Sequence, residues 1–160
     1  MTIKVGDKMP SGVFGVMTDK GPGKISSEEL FAGKKVVLVS VPGAFTPTCS
    51  LNHLPGFVRH ADEIMTKGVD TIACMAVNDV FVMNAWGKDR KVEDKVKMLA
   101  DGNGEYTRAL GLEMDGSGFG LGVRGQRFAM VVDDGIVEHL AVEAPGKFEI
   151  SKAEAILASL

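Results

Sequence analysis

The run Val36-Val37-Leu38-Val39-Ser40-Val41 constrains this chain more than any other stretch. It is apolar almost without a break, rich in β-branched residues, and bounded by Gly33 on one side and Pro42-Gly43 on the other. A strand that alternates apolar and polar residues has one wet face, whereas a continuous apolar run is buried on both. Such a strand needs helices above and below it. The remaining sequence offers strands and helices in alternation, which favours an α/β domain. The 160 residues suffice for one domain with a substantial core, so residues 1–160 read as a single unit.

The flanking elements follow from local chemistry. Val13 to Met17 reads as a weak early strand, and Ser26 with Glu29 has capping-box spacing at the start of a short helix. After the central strand, Leu51, Leu54, Phe57, Val58, Ala61 and Ile64 recur at helical spacing, with Pro55-Gly56 expected to kink the helix. Val69 to Val77 is a second buried strand carrying Cys74. Asn78 or Asp79 can cap the next helix, which carries Val80, Met83 and Trp86. Val96 to Ala100 reads as a strand and Glu105 to Leu110 as a helix. Arg127 to Asp133 and Ile136 to Val142 flank Asp134-Gly135, a hairpin signal. Ser151 and Glu154 have capping-box spacing at the start of a last helix.

Several function classes are disfavoured. The formal net charge of −3 implies no basic face for nucleic acid. No apolar run approaches the ~18 residues of a membrane span, and the first residues contain no secretory h-region. The two cysteines, Cys49 and Cys74, form no C-x-x-C pair, and the three histidines do not cluster with them as a zinc site requires. No metal or cofactor is implied, and the chain reads as cytoplasmic, with its thiols reduced. Gly120-x-Gly122-x-x-Gly125 matches a dinucleotide fingerprint. It lacks the strand before it and the helix after it, so it reads as a loop.

Cys49 carries the chemistry. Thr46 is a good N-cap and Pro47 suits the first helical position, which puts Cys49 in the first turn, just beyond the carboxyl end of a buried strand. Sites in open α/β sheets gather there, and unpaired N–H groups at a helix start favour a thiolate. The placement is expected to point the thiol out of the scaffold. Acidity alone explains little rate. Lowering a thiol pKa from ~8.5 to ~6 raises the thiolate fraction about 30-fold at pH 7, while a Brønsted slope of ~0.4–0.5 removes about 10-fold. Groups that polarise the electrophile must supply the rest, at ~10²–10³ per well-placed donor.

The motif Pro42-x-x-x-Thr46-x-x-Cys49, set in Val41-Pro42-Gly43-Ala44-Phe45-Thr46-Pro47-Thr48-Cys49-Ser50 and followed by His53-Leu54-Pro55-Gly56-Phe57, resembles that of the peroxiredoxins. Within them it is most similar to the type II, or peroxiredoxin 5, subfamily. The similarity continues through Val77-Asn78-Asp79, Trp86-Gly87 and Arg127-Phe128-Ala129-Met130-Val131. The resemblance implies a thioredoxin-like fold, a central mixed sheet flanked by helices. It implies a thiol peroxidase that reduces hydrogen peroxide and organic hydroperoxides through a sulfenic acid on Cys49. Thr46 would bind and align the peroxide, and Arg127 would hold thiolate and peroxide oxygens. Pro42 would shield the site, and backbone N–H groups near Thr48 and Cys49 would bind substrate oxygen. A homodimer with its interface near the active-site loops is also implied.

The chain departs from many two-cysteine relatives, because Ser151 stands where they carry a resolving cysteine near the C-terminus. Cys74, between Ala73 and Met75, reads as a core residue. A one-cysteine cycle is expected, completed by an external thiol: glutathione with glutaredoxin first, thioredoxin second. Two other readings compete: a non-catalytic thioredoxin-fold peroxide sensor or holdase, and a cysteine hydrolase using His53 as base. His53 reads rather as structural or peripheral.

Overall fold

A computed structural model describes residues 1–160. Its centre is a seven-stranded mixed sheet. In chain order the strands are β1 (Val13–Thr18), β2 (Gly21–Ser26), β3 (Lys35–Ser40), β4 (Thr71–Ala76), β5 (Lys97–Ala100), β8 (Phe128–Asp133) and β9 (Ile136–Val142). They lie side by side in the order β2-β1-β5-β4-β3-β8-β9. The three central strands β5, β4 and β3 run parallel, and both flanks pair antiparallel. A separate two-stranded hairpin joins β6 (Glu113–Asp115) to β7 (Val123–Gly125). The α/β thioredoxin-like architecture is the one expected.

The apolar run behaves as a doubly buried strand. Val37 and Val39 of β3 face one layer, with Ile72, Cys74 and Ala76 of β4, and Ala129 and Val131 of β8. Helices α2 (Leu54–Arg59), α3 (Ala61–Thr66), α4 (Val80–Asp89) and α6 (Ala153–Ser159) cover that face through Leu54, Phe57, Ile64, Met83, Trp86 and Ile156. Val36 and Leu38 point the other way, with Ala73, Met75, Met130 and Val132. There α1 (Ser27–Phe31) and α5 (Glu105–Leu110) close the core with Leu30, Phe31, Tyr106 and Leu110. Period-two geometry on a strand with two apolar faces produces this division.

Local signals act largely as read. Ser26 and Glu29 form the reciprocal capping box. Asp79, not Asn78, caps α4, its carboxylate accepting from the Val82 N–H at 2.9 Å. Asn78 instead accepts from the Ala44 N–H at 2.9 Å and so pins the loop before Cys49. At Asp134-Gly135 φ is +47° and +80°, the doubly left-handed turn that matches strand twist.

Three expectations need correction, and one strand was not anticipated. Ser151 does not cap α6; Lys152 holds that position without a side-chain bond. The Ser151 hydroxyl is instead engaged by Glu143, a buried carboxylate and a stronger partner than a backbone amide. β2 was not foreseen, since Gly21-Pro22-Gly23 argues against a strand. At a sheet edge the missing Pro N–H faces outward and costs no ladder bond. The Gly120–Gly125 stretch is only partly loop: its last three residues form β7. Leu51, placed by periodicity on the buried face, is 65% exposed.

Candidate active site

Leu51 is exposed because the helix is not regular there. Pro55 has no N–H, and its ring would collide with the Leu51 carbonyl in a continuous α-helix. The chain widens instead into a π turn over Cys49–His53, in which the Leu54 N–H donates to the Cys49 carbonyl five residues back. One extra residue per turn rotates the preceding positions by about 100° relative to α2. Leu51 is carried outward, and Cys49, Ser50 and His53 are carried inward, where all three are buried.

The turn is braced from the side. The Trp86 Nε1–H donates to Ser50 Oγ at 2.9 Å, and Arg90 Nη1 donates to the Ser50 carbonyl at 3.1 Å. Ahead of it, Phe45 takes a left-handed φ of +65°, a conformation a bulky residue adopts only when its surroundings hold it there. The Asn78–Ala44 bond and the Phe45 ring, 6.5 Å from that of Trp86, provide the hold.

Contrary to expectation, the Cys49 thiol does not project outward; it is fully buried. Arg127, which leads into β8, reaches across from the sheet and closes over it. Its Nη2 donates to Cys49 Sγ at 3.1 Å, and its Nη1 donates to His53 Nδ1 at 2.9 Å. The guanidinium thus meets the thiol with one arm and an imidazole with the other. Since His53 Nδ1 accepts, the ring proton sits on Nε2, which donates to the Ser151 carbonyl at 3.0 Å. Burial and then the adjacent Arg127 cation push the His53 pKa from 6.5 down to about 4, so the ring is neutral at pH 7. Phe148 completes the cover, its ring centroid 5.2 Å from that of His53 and 5.9 Å from Arg127 Cζ.

The other expected residues lie around this pair. Thr46 ends the loop at the helix start, with its carbonyl accepting from the Ser50 N–H at 2.9 Å. Its hydroxyl does not cap the helix: it donates backward to the Gly43 carbonyl at 2.7 Å, which leaves the oxygen lone pairs free to accept. Pro42 follows β3, half-buried, and its carbonyl accepts from Arg124 Nη1 at 3.4 Å. Arg124 is thereby committed to the loop, with Nε donating to the Leu121 carbonyl at 2.9 Å. Thr48, half-buried, immediately precedes Cys49 in the first turn, where backbone N–H groups have no preceding turn to bond.

Cys74 lies in the same apolar layer as Cys49, paired in register with Val39. Burial first, and the nearby Cys49 second, push its thiol pKa far above the ordinary value. Both cysteines are free. His53 is the functional residue that the sequence left understated. Its spacing of four from Cys49 was visible, but the acceptor role toward Arg127 depends on a contact 74 residues away. A base role is closed to it, because Nδ1 is occupied by Arg127 and Nε2 carries the proton.

A thiol, a guanidinium bonded to its sulfur, and a free hydroxyl acceptor at a helix start can hold an O–O bond for displacement at oxygen. Known proteins point the same way. The Redoxin family model matches residues 4–157. Peroxiredoxin-2B of Arabidopsis thaliana is 50% identical over 159 residues, which cover 99% of this chain and 98% of that protein. Reduced Prx3 of Vibrio vulnificus in complex with H2O2 superposes with a TM-score of 0.95 at 53% identity, covering 99% of both chains. Peroxiredoxin 5 of Alvinella pompejana does so with a TM-score of 0.87 at 40% identity, covering 98% of this chain and 97% of that one. With that match running from end to end, and Arg127 bonded to the sulfur of Cys49, the chain belongs to the peroxiredoxins, in their type II branch, and is a thiol-dependent peroxidase.

Proposed function

We propose that this chain reduces hydrogen peroxide and small organic hydroperoxides by a one-cysteine cycle, resolved by an external thiol. The Cys49 thiolate attacks the nearer peroxide oxygen. The S–O bond forms as the O–O bond breaks, sulfur is oxidised to sulfenic acid, and the departing alkoxide or hydroxide takes up a proton. Arg127 holds the thiolate and meets the charge that develops on the two oxygens. The Thr46 oxygen accepts a hydrogen bond from the peroxide O–H, the Thr48 and Cys49 backbone N–H groups face substrate oxygen, and Pro42 shields them from water. A fully buried thiol favours small peroxides.

Resolution from outside is supported by one observation above others. The only other thiol, Cys74, is buried in the sheet layer and strongly disfavoured as a thiolate. Glutathione would condense with the sulfenic acid, releasing water and leaving a mixed disulfide. A second thiol, from glutaredoxin or another glutathione, then frees Cys49; thioredoxin is the second choice of donor. A reducing, cytoplasmic setting suits this cycle. We infer a homodimer from the exposed Phe45, Phe119 and Ile150 in the loops of this end of the molecule.

Mass spectrometry after one equivalent of peroxide with glutathione tests the cycle. The expected product carries glutathione on Cys49. A Cys49–Cys74 disulfide without an adduct overturns the one-cysteine reading. Oxidation without repeated peroxide consumption in any donor system would make the protein a sensor instead.

A further inference from the structure

Behind His53 lies a carboxylate that the chemistry described so far does not use. Glu143 follows β9 and is buried. A single oxygen, Oε2, accepts from the backbone N–H groups of Glu149, Ile150 and Ser151, each at 2.8 Å, and from the Ser151 hydroxyl at 2.7 Å. Burial alone would raise the carboxyl pKa, but the bonds from Ser151, Glu149 and Ile150 together outweigh it and hold the group below its ordinary value. The Glu143 N–H also donates to the Arg127 carbonyl at 2.9 Å. One residue therefore grips the main chain of Arg127 at one end and gathers the 149–151 segment at the other.

That segment carries both groups that bear on the arginine side chain. The Ser151 carbonyl is the acceptor that keeps the His53 proton on Nε2, and so keeps Nδ1 open to Arg127. Phe148, one residue before the gathered amides, covers both His53 and Arg127. A neutral imidazole in a site without a fixed Nε2 acceptor would divide between two tautomers, and in one of them it offers Arg127 a proton instead of a lone pair.

We propose that Glu143 is a positioning residue for peroxide reduction: by holding residues 149–151 it fixes the Ser151 carbonyl, which sets the His53 tautomer, which aims Arg127 at the Cys49 sulfur. The chain of contacts is Glu143 to Ser151, Ser151 to His53, His53 to Arg127, and Arg127 to Cys49. Glu143 touches neither peroxide nor sulfur. Its contribution is orientational, and in near-attack geometry a misplacement of ~1 Å can cost about 100-fold. The proposal rests on the peroxidase reading but not on the identity of the reductant.

The test is the first-turnover oxidation of Cys49 by hydrogen peroxide, quenched and scored by mass, with no reductant present. It is paired with the ¹⁵N spectrum of His53. In Glu143→Ala the rate constant is expected to fall by about 10-fold or more, and His53 to change from a single Nε2–H tautomer to a mixture. Glu143→Gln keeps a carbonyl oxygen in the cradle and is expected to hold the single tautomer and recover to within about threefold of wild type, since neutral acceptors are roughly half as strong as charged ones. A Glu143→Ala protein with the wild-type rate or a single tautomer overturns the proposal. So does a Glu143→Gln protein no faster than Glu143→Ala. Should Glu143→Ala fail to fold, Glu143→Asp, whose carboxylate falls one methylene short, is held to the same two criteria. Wild-type protein that is not oxidised at Cys49 would instead overturn the peroxidase reading.

Discussion

Mild acid should weaken this protein through His53, and the size of the effect follows from its burial. In the unfolded chain His53 has its ordinary pKa of 6.5, and in the fold it is pushed down to about 4 by burial and then by Arg127. Between these values the unfolded chain binds a proton that the folded chain refuses, so stability falls as the pH falls. The contribution is fully present above about pH 6.5 and drains away toward pH 4, at about 1.4 kcal/mol per pH unit. From pH 7.5 to pH 5 the expected loss is therefore about 2 kcal/mol, and with a urea slope of ~2 kcal/mol/M the midpoint drops by about 1 M. The window lies above the titration of Glu28, Asp115, Glu143 and Glu154, all held below their ordinary values. Urea titrations of wild type and His53→Gln at both pH values isolate the effect, since every other group is common to the two proteins. The variant should lose about 2 kcal/mol less than wild type over that range. Equal losses in the two proteins would refute the reasoning, and with it the buried neutral imidazole.

Two further outcomes are expected. Arg127→Ala should lower kcat/KM for hydrogen peroxide by about 10²–10³-fold without preventing folding, measured by steady-state peroxide consumption with Cys49→Ser as the inactive control. Cys74→Ser should keep near-wild-type turnover while losing about 1–3 kcal/mol in urea titration, because it buries a hydroxyl where a thiol was apolar. A folded but inactive Cys74→Ser protein would contradict the cycle proposed above.

The central strand, the helix after it, a cap at Asn78 or Asp79 and the Asp134-Gly135 hairpin were legible because each depends on residues close in sequence. Cys49 was legible for the same reason, and Arg127 through a motif that resembles that of a family. The failures have two other causes, a local change of helical period and long-range competition. Ser151 carries the letters of a capping box, but a carboxylate eight residues away competes for its hydroxyl. Leu51 fits the helical period until Pro55 changes that period. His53 was visible as a neighbour of Cys49, but its partners lie 74 and 98 residues away. Long-range competition for polar groups is invisible to spacing, and it is what sets the tautomer and the arginine in this site.

The π turn at Cys49–His53 also has a consequence for how this stretch can vary. It is a phase slip: one residue more than the helix needs, with the thiol on one side of the slip and the packed face of α2 on the other. Substitutions within it leave the phase untouched. Removing one residue between Thr46 and Pro55 would swing the thiol by about 100° relative to α2, away from the guanidinium that awaits it. Adding one would swing it about as far the other way. The length of the segment is therefore as constrained as the identity of Thr46, Cys49, Ser50 and His53 within it, and a gap there in an alignment of related chains would mark one in which sulfur and arginine no longer meet.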